Sequence, residues 1–202
     1  MRLAVAGCLG LLVLGALILG GAAIGSYNSL VGLDQAVQAQ WGQVQNVYQR
    51  RADLVPNLVE TVKGAASFEK DTFTQVTEAR AQAGQATSQV AGTAPTSQAA
   101  LDKFQQAQAN LGGALSRLMV VVERYPDLKA TQNFRDLQAQ LEGTENRISV
   151  ERMRFNDAAQ AFNTRRQSFP TVLIAGFFGG RFDVKPYFKA QEGAETAPKV
   201  KF

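Results

Sequence analysis

Apolar side chains recur from Leu30 to Val62 in steps of three and four: Leu30, Leu33, Val37, Trp41, Val44, Val47/Tyr48, Leu54/Val55, Leu58 and Val62. That is the repeat of one face of an α-helix. It predicts a single helix from Ser26 to about Gly64, roughly 55–60 Å long at ~1.5 Å per residue. A helix of that length with one dry and one wet face is not stable alone. The rest of the chain must supply the helices that cover it.

Directly before this helix, Leu3 to Ile24 is almost wholly apolar or small. Its length is close to the ~20 residues that cross a hydrocarbon core. Two readings exist, a retained anchor and a cleaved signal peptide. The run is longer than a usual signal core, and the amphipathic helix follows at once, so we read an anchor. Val5-Ala6-Gly7-Cys8 has the look of a lipoprotein cleavage box, but the long apolar run follows Cys8 instead of preceding it. Arg2 lies on the short side, and no Lys or Arg appears beyond the run until Arg50. The positive-inside rule then predicts a cytoplasmic amino terminus, with the remaining domain outside the cytoplasm.

Downstream, three more helical stretches are legible. Ser67-Phe68-Glu69-Lys70 opens a second helix with Phe68, Phe73 and Val76 on its apolar edge and a shallow, Ala-rich end near Val90. Residues 91–96 form a loop by composition. The third helix, Ser97 to Arg124, carries Leu101, Phe104, Gln108, Leu111, Leu115, Leu118, Val122 and Tyr125 at helical spacing, and Pro126 stops it. The fourth, Thr131 to Ser168, carries Phe134, Leu137, Leu141, Thr144, Ile148, Glu151/Arg152, Phe155, Ala158/Ala159 and Phe162. Pro56 falls inside the first helix, where a proline removes one hydrogen bond, from the carbonyl of Ala52, at a cost of about 3 kcal/mol. The stripe keeps phase across it, which favours a kinked continuous helix over a break capped by Asp53.

Short connections make neighbouring helices antiparallel. The predicted fold is all-α: an N-terminal transmembrane helix leading into an antiparallel four-helix bundle, with two long helices (first and fourth) and a shorter middle hairpin. The domains would be an anchor over 1–25, the bundle over 26–170, and an apolar then flexible tail over 171–202. The short middle pair implies a four-helix head and a two-helix stalk near the bilayer. The fourth helix brings the tail back to the membrane. Residues 171–178 are too short a run to span; they lie in the interface or fold onto the stalk, with Val172, Leu173, Ile174, Phe177 and Phe178 as candidate membrane contacts. Arg165 and Arg166, with Arg152, Arg154 and Arg181 in the same region, would meet anionic head groups or form a solvated face.

Composition excludes several functions. The 202 residues carry a net charge of +4 and contain no histidine and one cysteine, Cys8. The commonest general base and metal ligand is thus missing, and no intramolecular disulfide or zinc cluster can form. Glu142 and Glu145 resemble half of a bundle metal site, but such sites need Glu-x-x-His pairs. No phosphate loop or nucleophile–base pair is present, and no aromatic-interleaved basic patch for nucleic acid. The expectation is no enzyme, no metal and no cofactor.

What remains is a polar layer. Arg51 lies as far below the top of the first helix as Glu145 lies below the top of the fourth. Arg51 or Arg50 should therefore pair with Glu145 or Glu142. The same count sets Glu60 beside Arg135, with Asn57 and Asn146 completing the layer. Its role is either helix register or a binding site.

Several runs carry a family resemblance: Tyr27-Asn28-Ser29-Leu30-Val31, Trp41, Tyr48-Gln49-Arg50-Arg51-Ala52-Asp53-Leu54-Val55-Pro56-Asn57, Glu123-Arg124-Tyr125-Pro126, and Leu141-Glu142-Gly143-Thr144-Glu145-Asn146-Arg147. With Phe169-Pro170 and the closing Pro198-Lys199-Val200-Lys201-Phe202, the chain resembles the LemA family over nearly its whole length. The resemblance implies a bacterial, membrane-anchored helical bundle and no particular reaction. It also implies kinship with a magnetosome-membrane protein and an amino terminus outside the cell, opposite to the charge-based orientation. Phe68 stands where the family often has His, and Phe155 and Phe162 where it has Tyr.

The resulting expectation is a non-enzymatic interaction or scaffold module at the bacterial cell (inner) membrane. The alternative is a lipid-binding or membrane-organising protein that uses the apolar tail and the basic lower bundle. Partners would be the lipid bilayer through residues 3–24, an unidentified membrane or envelope protein, and a second copy of the chain, but no nucleic acid. A deep pocket lined by Arg51, Glu60 and Glu145 would favour an enzyme instead.

Overall fold

The computed structural model describes residues 2–64 and 69–189. Phe68 and the tail beyond Lys189, both subjects of expectations above, lie outside the described residues. Within them the protein is all-helical, with no strand.

The first helix, α1 (Arg2–Lys63), runs unbroken from the apolar segment through Pro56. No boundary interrupts it near residue 25. Along the apolar start, Leu11, Leu12, Leu17, Ile18 and Leu19 are all exposed, Leu19 by 72%. It is a helix long and apolar enough to cross a membrane. Side chains so placed lose favourable burial in water and gain it in hydrocarbon. Further along, Leu30, Val37, Trp41, Val44, Val55, Leu58 and Val62 are buried, so one rod is apolar and exposed at its start and buried against other helices farther on. Pro56 leaves the Ala52 carbonyl without its helical donor, and Arg80 Nε of the next helix donates to it at 2.9 Å.

The second helix, α2 (Lys70–Gln89), buries Phe73, Val76, Ala79, Ala83 and Ala86. The third, α3 (Gln98–Val122), starts at Ser97, whose hydroxyl accepts from the Ala100 N–H, a standard N-cap bond. Pro126 does more than stop α3, since it occupies the first turn of a short helix, α4 (Pro126–Lys129), which turns the chain. The fifth helix, α5 (Gln132–Gln167), is capped by Thr131 and buries Phe134, Leu141, Thr144, Ile148, Phe155, Ala159 and Phe162. Helix α6 (Thr171–Phe177) and a 3-10 turn (Gly179–Phe182) follow.

α1 packs along α5, and α2 along α3. Directions follow from the cross-links. Ser29 meets Arg165 and Arg51 meets Glu145, so α1 and α5 are antiparallel. Gln75 meets Arg117 and Thr87 meets Gln108, so α2 and α3 are also antiparallel. Trp41 Nε1 donates to the Val90 carbonyl at 3.0 Å, which fixes the foot of α2 against the middle of α1.

The core has two regions. Near the apolar segment it is aromatic: Trp41 lies 5.3 Å from Phe104 and 5.6 Å from Phe155, ring centre to ring centre. Farther away it is mainly aliphatic and alanine-rich, with Val62, Ala83, Leu111, Leu118 and Leu141 beside Phe134.

The region below the hairpin differs from a bare two-helix stalk. α6 folds onto α1 and α5, with Phe178 against Tyr27 at 5.0 Å and Phe182 buried between Tyr27 and Phe162. Beyond the 3-10 turn the chain continues as an extended strap over 183–189, laid between α3 and α5. The physical reason is Phe188, which inserts beside Trp41 and Phe155 and is 6% exposed. Burying such a ring stabilises by about 1.5–3 kcal/mol, enough to hold a short segment in place.

Candidate functional site

The strap is held by side-chain amides that each read one residue's backbone twice. Asn163 Oδ1 accepts from the Lys185 N–H at 2.8 Å, and its Nδ2 donates to the Lys185 carbonyl at 2.9 Å. Asn156 does the same for Phe188, at 2.8 and 3.0 Å. Gln98 of α3 does it for Tyr187, at 3.3 and 3.0 Å. Two helices thereby perform the task of a neighbouring β-strand, pairing both polar groups of an extended chain. Asn156 and Asn163 are one heptad apart on α5, and Gln98 and Gln105 one heptad apart on α3.

At Lys189 the pairing becomes incomplete. Gln105 Nε2 and Arg152 Nη2 both donate to its carbonyl, at 2.9 and 2.7 Å, while among the described residues Gln105 Oε1 is buried with no partner. Lys189 Nζ meets Asp102 Oδ2 at 2.9 Å. The bonds from Lys189 and Gln98 hold the Asp102 carboxyl below its ordinary pKa.

Beyond Lys189, α3 and α5 stand apart over a cleft of about 990 Å³. Gln108, Gly112, Gly113 and Ser116 form one wall, and Glu145, Asn146, Ser149 and Arg152 the other. Tyr48, Arg51 and Leu141 lie at its base. Arg51 is 4% exposed. Its Nη1 donates to Glu145 Oε1 at 2.9 Å, and its Nη2 to the Gln108 carbonyl and side-chain oxygen at 2.9 and 2.6 Å. The guanidinium lies 5.1 Å from the Tyr48 ring centre. Among the described residues Arg51 Nε has no partner. Burial pushes the Tyr48 phenol above its ordinary pKa, against the opposing pull of Arg152 and Arg51.

The structure thus brings Arg51 and Glu145 together and disperses the rest of the expected polar layer. Arg50, Asn57, Glu60, Arg135, Glu142 and Asn146 are exposed. Glu60 faces Lys63 at 3.7 Å, not Arg135. Arg135 donates to Gln132, and Glu142 accepts from Gln138 on its own helix. Level-counting fixes height along two rods but not rotation, and these residues point outward. Asn146 alone among them borders the cleft, and Glu60 does not join Arg51 and Glu145 in its lining.

Of the expected membrane contacts, Val172, Leu173, Phe177 and Phe178 are exposed, Phe177 by 84%, while Ile174 is half-buried. Arg165 and Arg166 are half-buried and engaged inside the protein, on Ser29 Oγ and on the Phe182 carbonyl. They are struts of the fold more than a free basic face. Among the described residues no cluster of His, Cys, Asp and Glu could hold a metal.

Sequence reasoning missed the strap and its amides. The available signal was the heptad-spaced pairs Gln98/Gln105 and Asn156/Asn163 along otherwise apolar seams.

A family model described as the LemA family matches residues 40–202. The chain belongs to the LemA family. Among relatives, it is 25% identical over 189 residues to Magnetosome protein MamQ 2 of Paramagnetospirillum magneticum, covering 84% of this chain and 67% of that protein. The same figures hold for Magnetosome protein MamQ of Magnetospirillum gryphiswaldense. It is 22% identical over 152 residues to Protein LemA of Metamycoplasma hominis, covering 75% of this chain and 64% of that one. These LemA-family relatives and the apolar start of α1 agree with a membrane location. The cleft and strap lie wholly inside the matched LemA region.

Proposed function

We propose that this LemA-family protein is a single-pass, membrane-anchored helical module that binds other proteins and performs no reaction of its own. The observation that carries the reading is one rod, α1, that is lipid-compatible at its start and packed into a helical assembly farther on. The pairings of α1, α2, α3 and α5 support an antiparallel four-helix bundle as the working architecture. The bacterial inner membrane, with the bundle outside the cytoplasm, is the location this reading assigns. The magnetosome names of relatives support a role in membrane organisation. Crosslinking in cells, followed by sizing in mild detergent, tests the function. A lone monomer with no captured partner would overturn it. Protease treatment of intact spheroplasts tests the side: digestion of the bundle supports the external assignment, and protection reverses it.

A second reading has its own observation. Phe169, Leu173 and Phe177 are exposed by 79, 63 and 84%, and α6 packs at the level of Tyr27, just past the apolar segment. That geometry supports α6 lying in the head-group region and bracing the bundle against the bilayer. A Phe177→Trp chain in nanodiscs with brominated lipid should show quenching at the new site. Trp41 is buried, about 25 Å beyond Ile24 along α1 at ~1.5 Å per residue, and gives the unquenched reference. An unquenched Phe177→Trp signal removes this reading.

A further inference from the structure

Three arginines sit at one level of the protein, just past the apolar segment of α1. Arg165 Nε donates to Ser29 Oγ at 3.2 Å, and Arg166 Nε donates to the Phe182 carbonyl. Arg181 lies over the Tyr27 and Phe182 rings, 5.5 and 5.7 Å from their centres. Among the described residues the two struts use Nε alone, and Arg181 makes no hydrogen bond or ion pair. Arg165 and Arg166 are half-buried and Arg181 is exposed, and none of their Nη atoms is a buried orphan. All three guanidinium forks are therefore open to whatever surrounds the protein at this level.

The surroundings lack counter-charge. Residues 158–182 contain these three arginines and no carboxylate, and residues 3–33 contain no charged side chain. The carboxylates that flank these stretches are Asp34, which is held by Lys185, Asp183, and Asp157 two turns up α5. Positive charge at the end of α5 suits the negative pole of that helix, which accounts for Arg165 and Arg166 but not for Arg181. Height points to a ligand. Ser29 lies about 7–8 Å beyond Ile24 along α1, a rise comparable to the ~5–8 Å of head groups on each side of a bilayer core. Tyr27 and the exposed Phe177 stand at the same end, as interfacial aromatics do. A guanidinium fork matches two oxygens of a phosphate.

We propose that Arg165, Arg166 and Arg181 form a collar that binds the phosphate groups of anionic phospholipids in the adjoining leaflet. The proposal rests on the reading that sets α6 in the head-group region, and it names the lipid class. Arg165 and Arg166 serve two sides at once: Nε ties the fold together, and the Nη fork is left for lipid. Arg181 is held flat by its aromatic seat at Tyr27 and Phe182 without giving up a donor.

The test uses the full-length Phe177→Trp chain in phosphatidylcholine nanodiscs. Each preparation carries a minor, equal fraction of a lipid brominated near its head group, either phosphatidylglycerol or phosphatidylcholine. The phosphatidylglycerol should quench the Phe177→Trp signal more strongly, because the collar gathers it. An arginine near an anionic surface is worth about fivefold in lipid partition, so Arg181→Gln should lower the preference about fivefold. High salt should lower it too. Arg181→Gln breaks no hydrogen bond inside the protein, so it separates lipid contact from folding. The Arg165→Gln, Arg166→Gln double variant should lower the preference further, with its thermal melt recorded because it also loses two struts. Millimolar inorganic phosphate at matched ionic strength should leave the preference in place; its loss would assign the collar to soluble phosphate and overturn the lipid proposal. A preference indifferent to Arg181→Gln also overturns it. Strong but equal quenching by both lipids overturns the collar and leaves α6 in the head-group region. No quenching by either lipid removes both.

Discussion

The two halves of the α3–α5 cleft are built from the same two helices on the same heptads, yet one is filled and the other open. In the filled half, Gln98, Asn156 and Asn163 satisfy both polar groups of three strap residues, and Phe188 completes an aromatic core. In the open half, Gln105 Oε1 and Arg51 Nε are buried and unpaired among the described residues, and the α3 wall includes Gly112 and Gly113. The comparison teaches that α3 and α5 do not pair directly with each other. α1 pairs with α5 and α2 with α3, and in the filled half an extended chain bridges α3 and α5.

Breaking the filled half should be most costly. Phe155→Ala empties the centre of the aromatic cluster, where Phe155 is 0% exposed, and should destabilise the protein by about 3–5 kcal/mol in chemical denaturation. Phe188→Ala should cost less, about 2–3 kcal/mol, because a strap can partly collapse into the gap. A larger loss for Phe188 than for Phe155 would make the strap the keystone instead of a filler.

The charge at the base of the open half sharpens the contrast. Glu145→Gln leaves a buried guanidinium short of its counter-charge. It should cost about 1–2 kcal/mol, reduced from the fully buried case because the Glu145 side chain is 44% exposed. Arg51→Met removes the charge and keeps the volume, and should cost less than Glu145→Gln. The reverse order in urea melts would mean that Arg51 is placed there for stability.

Amide removal should separate the halves directly. Asn156→Ala orphans the Phe188 N–H and carbonyl and should cost about 1–3 kcal/mol. Ser149→Ala, one heptad above, should stay within about 0.5 kcal/mol. Gly113→Ala in the open wall should stabilise by about 0.5–1 kcal/mol, since the added Cβ has room. Hydrogen-exchange protection of the strap amides would report the first of these independently of global melting.

The smallest effect is expected from acid. The Asp102 carboxyl is held below its ordinary pKa in the folded protein by Lys189 and Gln98. Its contribution is therefore complete above the unfolded value, about 3.9, and is lost as pH falls through the lower folded value. Trp41 fluorescence, reporting on neighbouring Phe188, should change in that acid window, and Asp102→Asn should flatten the change.

Much of this was legible from spacing alone. The dry stripe from Leu30 to Val62 and the seam from Phe134 to Phe162 are buried because an apolar face repeated every three to four residues has one low-energy disposition in water. The same logic set the Arg51–Glu145 level, since rise per residue is constant. Glu60 and Arg135 failed because height does not determine which way a side chain faces, and an exposed pair gains too little to enforce a rotation.

The sequence by itself determined the helices, their order and the apolar start of α1, all consequences of local periodicity and of where apolar residues cluster. Only the tertiary structure decided that α3 and α5 part, that residues 183–189 lie between them, and that Arg51 looks into the space left over. Those outcomes depend on contacts between residues far apart in the chain, such as Gln98 with Tyr187 and Asn163 with Lys185, and the heptad spacing of these amides does not say which segment they bind until the helices that hold them have met.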